Sequence, residues 1–197
     1  MTGEQIKSFY PRIEILDQAY EIPQLGRSRR ISVLLPHDYL KTDKRYPVLY
    51  LHDGQNLFDE YAPYGNWGVD KSLQALAQKG LGDVIIVAID HGGVLRIQEY
   101  LPYSTPRYTE AEGHLYLRFM LEDLKPMIDS KYRVLTDRNS TGIGGSSLGG
   151  LISLYAGFEH MDVFGKMMIF SPSLWISEEI YRKANEYQPT GPTDIYL

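Results

Sequence analysis

The residues with the clearest chemical promise are Gly145-Ser146-Ser147-Leu148-Gly149, flanked by Gly144 and Gly150. They fit G-x-S-x-G, the spacing that lifts a serine out of a sharp strand-to-helix turn. Such a turn strains the serine backbone, and the positions two residues away must lack bulk so that strand and helix can approach. The chemistry is nucleophilic. Ser147 Oγ would attack an electrophilic carbon, while the Leu148 amide, at the start of the following helix, would face the developing oxyanion. The spacing selects Ser147 over Ser146. The competing explanation is a glycine-rich phosphate or packing turn, but no lysine follows as a P-loop requires.

A second segment, Leu51-His52-Asp53-Gly54-Gln55-Asn56-Leu57-Phe58, follows a strand and contains a glycine turn. A backbone N–H from that position would complete an oxyanion hole. Gln55 is the assigned donor, with Asn56 the alternative and an ordinary strand-to-helix turn the bland one. His52 and His91 each follow a strand and so reach the sheet edge where ligands bind. For His52 the structural explanation is a ring that braces its own turn. His160 lies thirteen residues beyond Ser147 along the emerging helix, roughly 20 Å away at 1.5 Å per residue, and cannot serve it as a base.

Positioning these groups requires an α/β fold, which the pattern supplies: short β-branched runs alternate with amphipathic stretches, predicting a mostly parallel sheet with helices on both faces. An antiparallel N-terminal hairpin pairs Ile13 to Leu16 with Arg30 to Leu35 around a turn near Gly26. Strands follow at Tyr46 to Leu51, Val84 to Asp90, Ser140 to Gly145 and Lys166 to Phe170, and another begins at Asp194. Helices are predicted from about Val69 to Lys79, Leu148 to Phe158 and Ser177 to Tyr187. Between them, Gly92 to Pro106 reads as a long irregular loop. Thr109 and Glu112 form a capping-box pattern ahead of Leu117, Met120, Leu121, Leu124 and Ile128, a helical stripe that Pro126 should kink or open at its last turn.

The composition is that of one globular domain: 197 residues, 43% apolar and 23% charged. A net charge of -5 without a basic run argues against a nucleic-acid partner. The absence of cysteine excludes disulfides, thiolate metal sites and a cysteine nucleophile. No apolar run is long enough to span a bilayer, and Met1 to Tyr10 has no secretory h-region, so the expectation is a cytoplasmic chain without membrane contact. No metal or cofactor is implied, and oligomeric state is not legible.

Taken together, Leu51 to Phe58, Trp67, Arg96-x-x-Glu99-Tyr100-x-Pro102, Gly144 to Gly150 and Phe170-Ser171-Pro172-Ser173-Leu174-Trp175 resemble the putative-esterase (esterase D-like) family of α/β-hydrolases. That family includes feruloyl and acetyl-xylan esterases, siderophore esterases, S-formylglutathione hydrolase and mycolyltransferases. The resemblance implies an acyl-enzyme at Ser147, a small-molecule ester substrate, and Trp67 and Trp175 lining the acyl pocket, where each could equally be a core aromatic. Arg96 and Glu99 would be a loop-organising pair. In this fold the acid and histidine follow the serine, and the resemblance places both beyond residue 197. The domain is thus expected to be C-terminally incomplete, lacking a strand and helix. An acyltransferase or a non-catalytic hydrolase-like domain are the rivals.

Overall fold

The computed structural model describes residues 9–58, 62 and 65–197. Its centre is a seven-stranded sheet in the order β1-β2-β4-β3-β5-β6-β7. The strands are β1 (Arg12–Ile22), β2 (Arg27–Leu35), β3 (Val48–His52), β4 (Ile85–Ile89), β5 (Thr141–Ser146), β6 (Lys166–Phe170) and β7 (Asp194–Tyr196). β1 and β2 form the antiparallel hairpin, β2 meets β4 antiparallel, and every pairing from β4 onward is parallel. The hairpin is longer than expected, and register shifts near Asp17 bend its outer strand. Those irregularities suit an edge strand, where they discourage pairing with other chains.

β4 shows how the two faces are filled. Its five residues, Ile85 to Ile89, are all buried. Ile85, Val87 and Ile89 face a large core with Tyr100, Tyr116, Phe119, Leu151 and Ile152. Ile86 and Ala88 face a smaller cluster with Leu34, Leu51 and Leu57, onto which Val69 and Leu73 of helix α1 (Val69–Ala77) pack. A strand covered on both sides has no solvent face, hence its unbroken apolar run. Each large side chain so buried contributes roughly 1.5–3 kcal/mol.

Three local expectations are corrected or refined. The stretch after Gly92 is not a featureless loop; it holds a 3-10 turn (Gly93–Leu95) and helix α2 (Arg96–Tyr100). The helix after it, α3 (Gly113–Phe119), has no side-chain capping bond at its start. Glu112, expected to reach back in a capping box, instead accepts a 2.5 Å bond from Arg27. A full guanidinium outcompetes a main-chain amide for a carboxylate. Finally, the break expected at Pro126 takes the form of a wider turn just ahead of the proline. A π turn (Met120–Leu124), closed by the Lys125 N–H to Met120 O, carries α3 into α4 (Lys125–Lys131), with the proline in the first turn of α4. Helix α5 (Leu148–Glu159) follows β5 directly, and α6 (Glu179–Glu186) starts two residues later than expected.

Candidate active site

β5 runs straight into α5, and Ser147 alone makes the turn. Its backbone sits at φ 58 and ψ -118, a region that side chains other than glycine's rarely adopt. The surroundings enforce it. A Cβ on Gly145 would lie 2.8 Å from the carbonyl carbon of Gly149, so strand and helix meet closer than any side chain permits. The Ser147 N–H donates to Phe170 O at 3.0 Å, and its carbonyl accepts from Leu151 and Ser173 N–H groups at 3.0 Å each.

A serine before a helix usually caps it by accepting from an amide of the first turn. Ser147 makes no such bond. Its Oγ lies 2.9 Å from Ser173 Oγ, and Ser147 is part of the wall of a cleft of about 310 Å³. That wall also includes Asp53, Asn56, Trp67, His91 and Arg96. The Leu148 amide, being the first of α5, has no acceptor within the helix.

The β3 end supplies the facing wall. Asp53 is in the left-handed region (φ 58, ψ 47) and starts a 3-10 turn, Gly54–Asn56. Within it, the Asn56 N–H donates to Asp53 O at 2.8 Å and the Leu57 N–H to Gly54 O at 3.2 Å. The engagement of the Asn56 amide favours Gln55 between the two candidate donors. The Gln55 side chain reaches the other way, its Oε1 accepting from the His91 N–H at 3.0 Å. Asn56 contributes a side chain instead: it is buried, lines the cleft, and its Oδ1 has no partner among the described residues.

Arg96 and Glu99 do not pair with each other. Arg96 clamps both oxygens of Asp53 (2.6 and 2.8 Å), reaches Ser146 O at 3.3 Å, and lies over the Tyr100 ring. Glu99, fully buried, accepts two bonds from Arg29 at 2.9 and 3.0 Å and one from Arg27 at 3.1 Å. Both residues organise the loop, through partners distant in sequence. Local spacing showed neither Asp53 nor Arg29 as the partner, because such bonds depend on how strands are ordered in the sheet.

The histidines separate cleanly. His52 is fully buried beneath Tyr100 and Tyr116, and its Nδ1 lies 3.0 Å from Tyr116 Oη. Burial pushes its pKa down to about 4, so it is neutral at pH 7. It packs into the core rather than bracing its own turn. His91 shares the cleft with Ser147. Its Nδ1 accepts from the Gly93 N–H at 2.9 Å, and burial lowers its pKa. A neutral ring accepting at Nδ1 carries its proton on Nε2, so neither nitrogen is placed to receive one. Of the two tryptophans, Trp67 lines the cleft and packs edge-on against Phe170 with ring centroids 5.6 Å apart. Trp175, 71% exposed, is not among the described residues that line it.

The family model described as "Putative esterase" matches residues 22–194. The chain belongs to the putative-esterase family. An uncharacterized Bacillus subtilis protein, YbbA, is 29% identical over 154 residues, covering 75% of this chain and 58% of its own length. The iron(III) salmochelin esterase of Escherichia coli is 26% identical, covering 78% of this chain and 34% of that protein. Among solved structures, an IroE-like serine hydrolase from Shewanella oneidensis superposes with a TM-score of 0.71 at 26% identity, covering 89% of this chain and 55% of that one. The chain therefore spans well under two thirds of these relatives. The α/β-hydrolase architecture, a mixed sheet with helices on both sides, is shared. No helix among the described residues is long and apolar enough to cross a membrane.

Proposed function

We propose that this protein is a serine esterase acting on small-molecule carboxylic esters, with Ser147 as the nucleophile. The observation that carries this is the strained, uncapped Ser147 at the head of α5, its side chain on a cleft. Its relatives' names, esterases of salmochelin and of feruloyl groups, point the same way. Ser147 Oγ attacks the ester carbonyl, the Leu148 and Gln55 amides hold the oxyanion, and water then releases the acyl group. Trp67 would border the acyl pocket. Acyl groups on a carbohydrate or another small molecule are the substrate class.

The general base in this proposal is a histidine outside the 197 residues. His52 is sealed in the core and His91 holds the wrong tautomer. His37, against Phe9 just after β2, His114, in the first turn of α3, and His160, at the far end of α5, lie on other parts of the fold. Without its base, a serine hydrolase retains only about 10³–10⁴-fold catalysis over water. We expect slow but specific covalent labelling of Ser147 by an excess of a fluorophosphonate, located by mass spectrometry and abolished by Ser147→Ala. Weak p-nitrophenyl acetate turnover should follow the same pattern. Labelling that survives Ser147→Ala would refute the nucleophile. Labelling or turnover that collapses in His91→Ala would instead make His91 the base.

A further inference from the structure

We propose that Ser173 is a catalytic residue whose hydroxyl donates a hydrogen bond to Ser147 Oγ as that oxygen gains negative charge. The proposal rests on the nucleophile assignment above. Two bonds tie the residues together: Oγ to Oγ at 2.9 Å, and the Ser173 N–H to Ser147 O at 3.0 Å. The second fixes the backbone of Ser173 against the elbow, so the first is held at short range without freezing a long side chain. Ser173 is only 6% exposed. A buried hydroxyl needs a partner for its proton, and among the described residues the side-chain oxygen bonded to it is the nucleophile's own.

In the resting protein either hydroxyl can donate. Once Ser147 begins to lose its proton, only one arrangement remains: Ser173 as donor and the Ser147 oxygen as acceptor. Hydrogen bonding to a charged form favours that form, and bonds to an ionised oxygen are about twice as strong as neutral ones. Ser147 Oγ then forms its bond to the carbonyl carbon while the carbonyl π pair moves onto its oxygen. The Ser147 proton goes to the base, or to hydroxide in its absence. Ser173 keeps its own proton throughout and stabilises charge without transferring anything. Its location explains why local patterning did not reveal it: it is 26 residues from Ser147, brought there by the pairing of β5 with β6.

The test is the rate of fluorophosphonate labelling of the 197-residue chain from pH 6 to 10, for wild type, Ser173→Ala and Ser173→Thr, with melting temperatures alongside. Ser173→Ala should label about 10- to 100-fold more slowly, within the range for losing one charge-stabilising donor. Its rate should also rise at higher pH than that of wild type. Ser173→Thr, which keeps the hydroxyl, should recover much of the rate. A Ser173→Ala chain that melts like wild type and labels at the wild-type rate with the same pH profile overturns the proposal alone. A faster rate also overturns it, showing that Ser173 restrains the nucleophile. Wild-type labelling that does not depend on Ser147 overturns the function and this role together.

Discussion

Two neighbouring strands end in the same unusual backbone angle and use it for different ends. Asp53 after β3 and Ser147 after β5 both have φ 58. Asp53, with ψ 47, is in the left-handed region, which aspartate adopts more readily than most side chains. Its side chain is fully committed to Arg96. Ser147, with ψ -118, occupies a region that essentially requires glycine, and its hydroxyl is engaged by neither the helix nor a charge. Unfavourable geometry is held by the fold at both places. At Asp53 it brings a loop against the elbow through Arg96, and at Ser147 it presents an oxygen to a cleft.

Substitutions can break this contrast. The largest effect should be chemical and confined to one side. Ser147→Ala should abolish fluorophosphonate labelling, a loss of about 10³-fold or more, whereas Asp53→Asn, which tolerates the same backbone, should keep labelling within about tenfold. Equal losses would mean that the β3 end holds the nucleophile as directly as the elbow does.

The next effect is in pH and belongs to the β3 end. His52 has its pKa lowered from 6.5 to about 4 by burial. The unfolded chain therefore binds the proton first as pH falls. The associated stability is complete above about pH 6.5 and is lost progressively down to about pH 4, amounting to about 3 kcal/mol. Urea denaturation across this window should show that decline, with the His52 ring signal in NMR unprotonated at pH 5. A His52 titrating near 6.5 would remove the burial account.

Smaller still is the ion pair. Asp53→Ala leaves the Arg96 guanidinium, mostly buried, without its carboxylate, and should reduce urea stability by about 2–3 kcal/mol. A change under about 0.5 kcal/mol would show that Asp53 is not a strut. The smallest effect has the opposite sign. Ser147→Gly relieves the strained φ and ψ and should stabilise the protein by about 1 kcal/mol, as an inactive chain that melts higher. Lower stability would indicate that the backbone at Ser147 is not strained.

What was legible in the sequence was what is local. The Gly145 and Gly149 spacing marks the elbow because the close approach of strand and helix allows nothing larger. The apolar run at Ile85 to Ile89 marks a strand covered on both faces. Helix α2 was hidden since Arg96–Tyr100 spans barely more than one turn, too short to show a period. The capping box at Thr109 and Glu112 misled because Arg27, 85 residues away, takes the carboxylate. Asp53 with Arg96, Glu99 with Arg29, and Ser147 with Ser173 all join segments that follow or belong to different strands. Their partners follow from sheet order, which no window of residues contains.

The π turn before Pro126 has a consequence for insertions and deletions. A π turn holds one residue more than the α-helical turn it replaces, and here that turn ends two residues ahead of a proline. Removing one residue from 120–124 would restore regular α-helix, leaving Ile128 and its neighbours in phase with the core. The same deletion would set the Pro126 ring against the carbonyl four residues earlier, a clash of about 3 kcal/mol. Deletion and proline are therefore coupled: a one-residue deletion should be tolerated in a Pro126→Ala chain and disruptive in the parent. The helix length at this point is set by its imino acid.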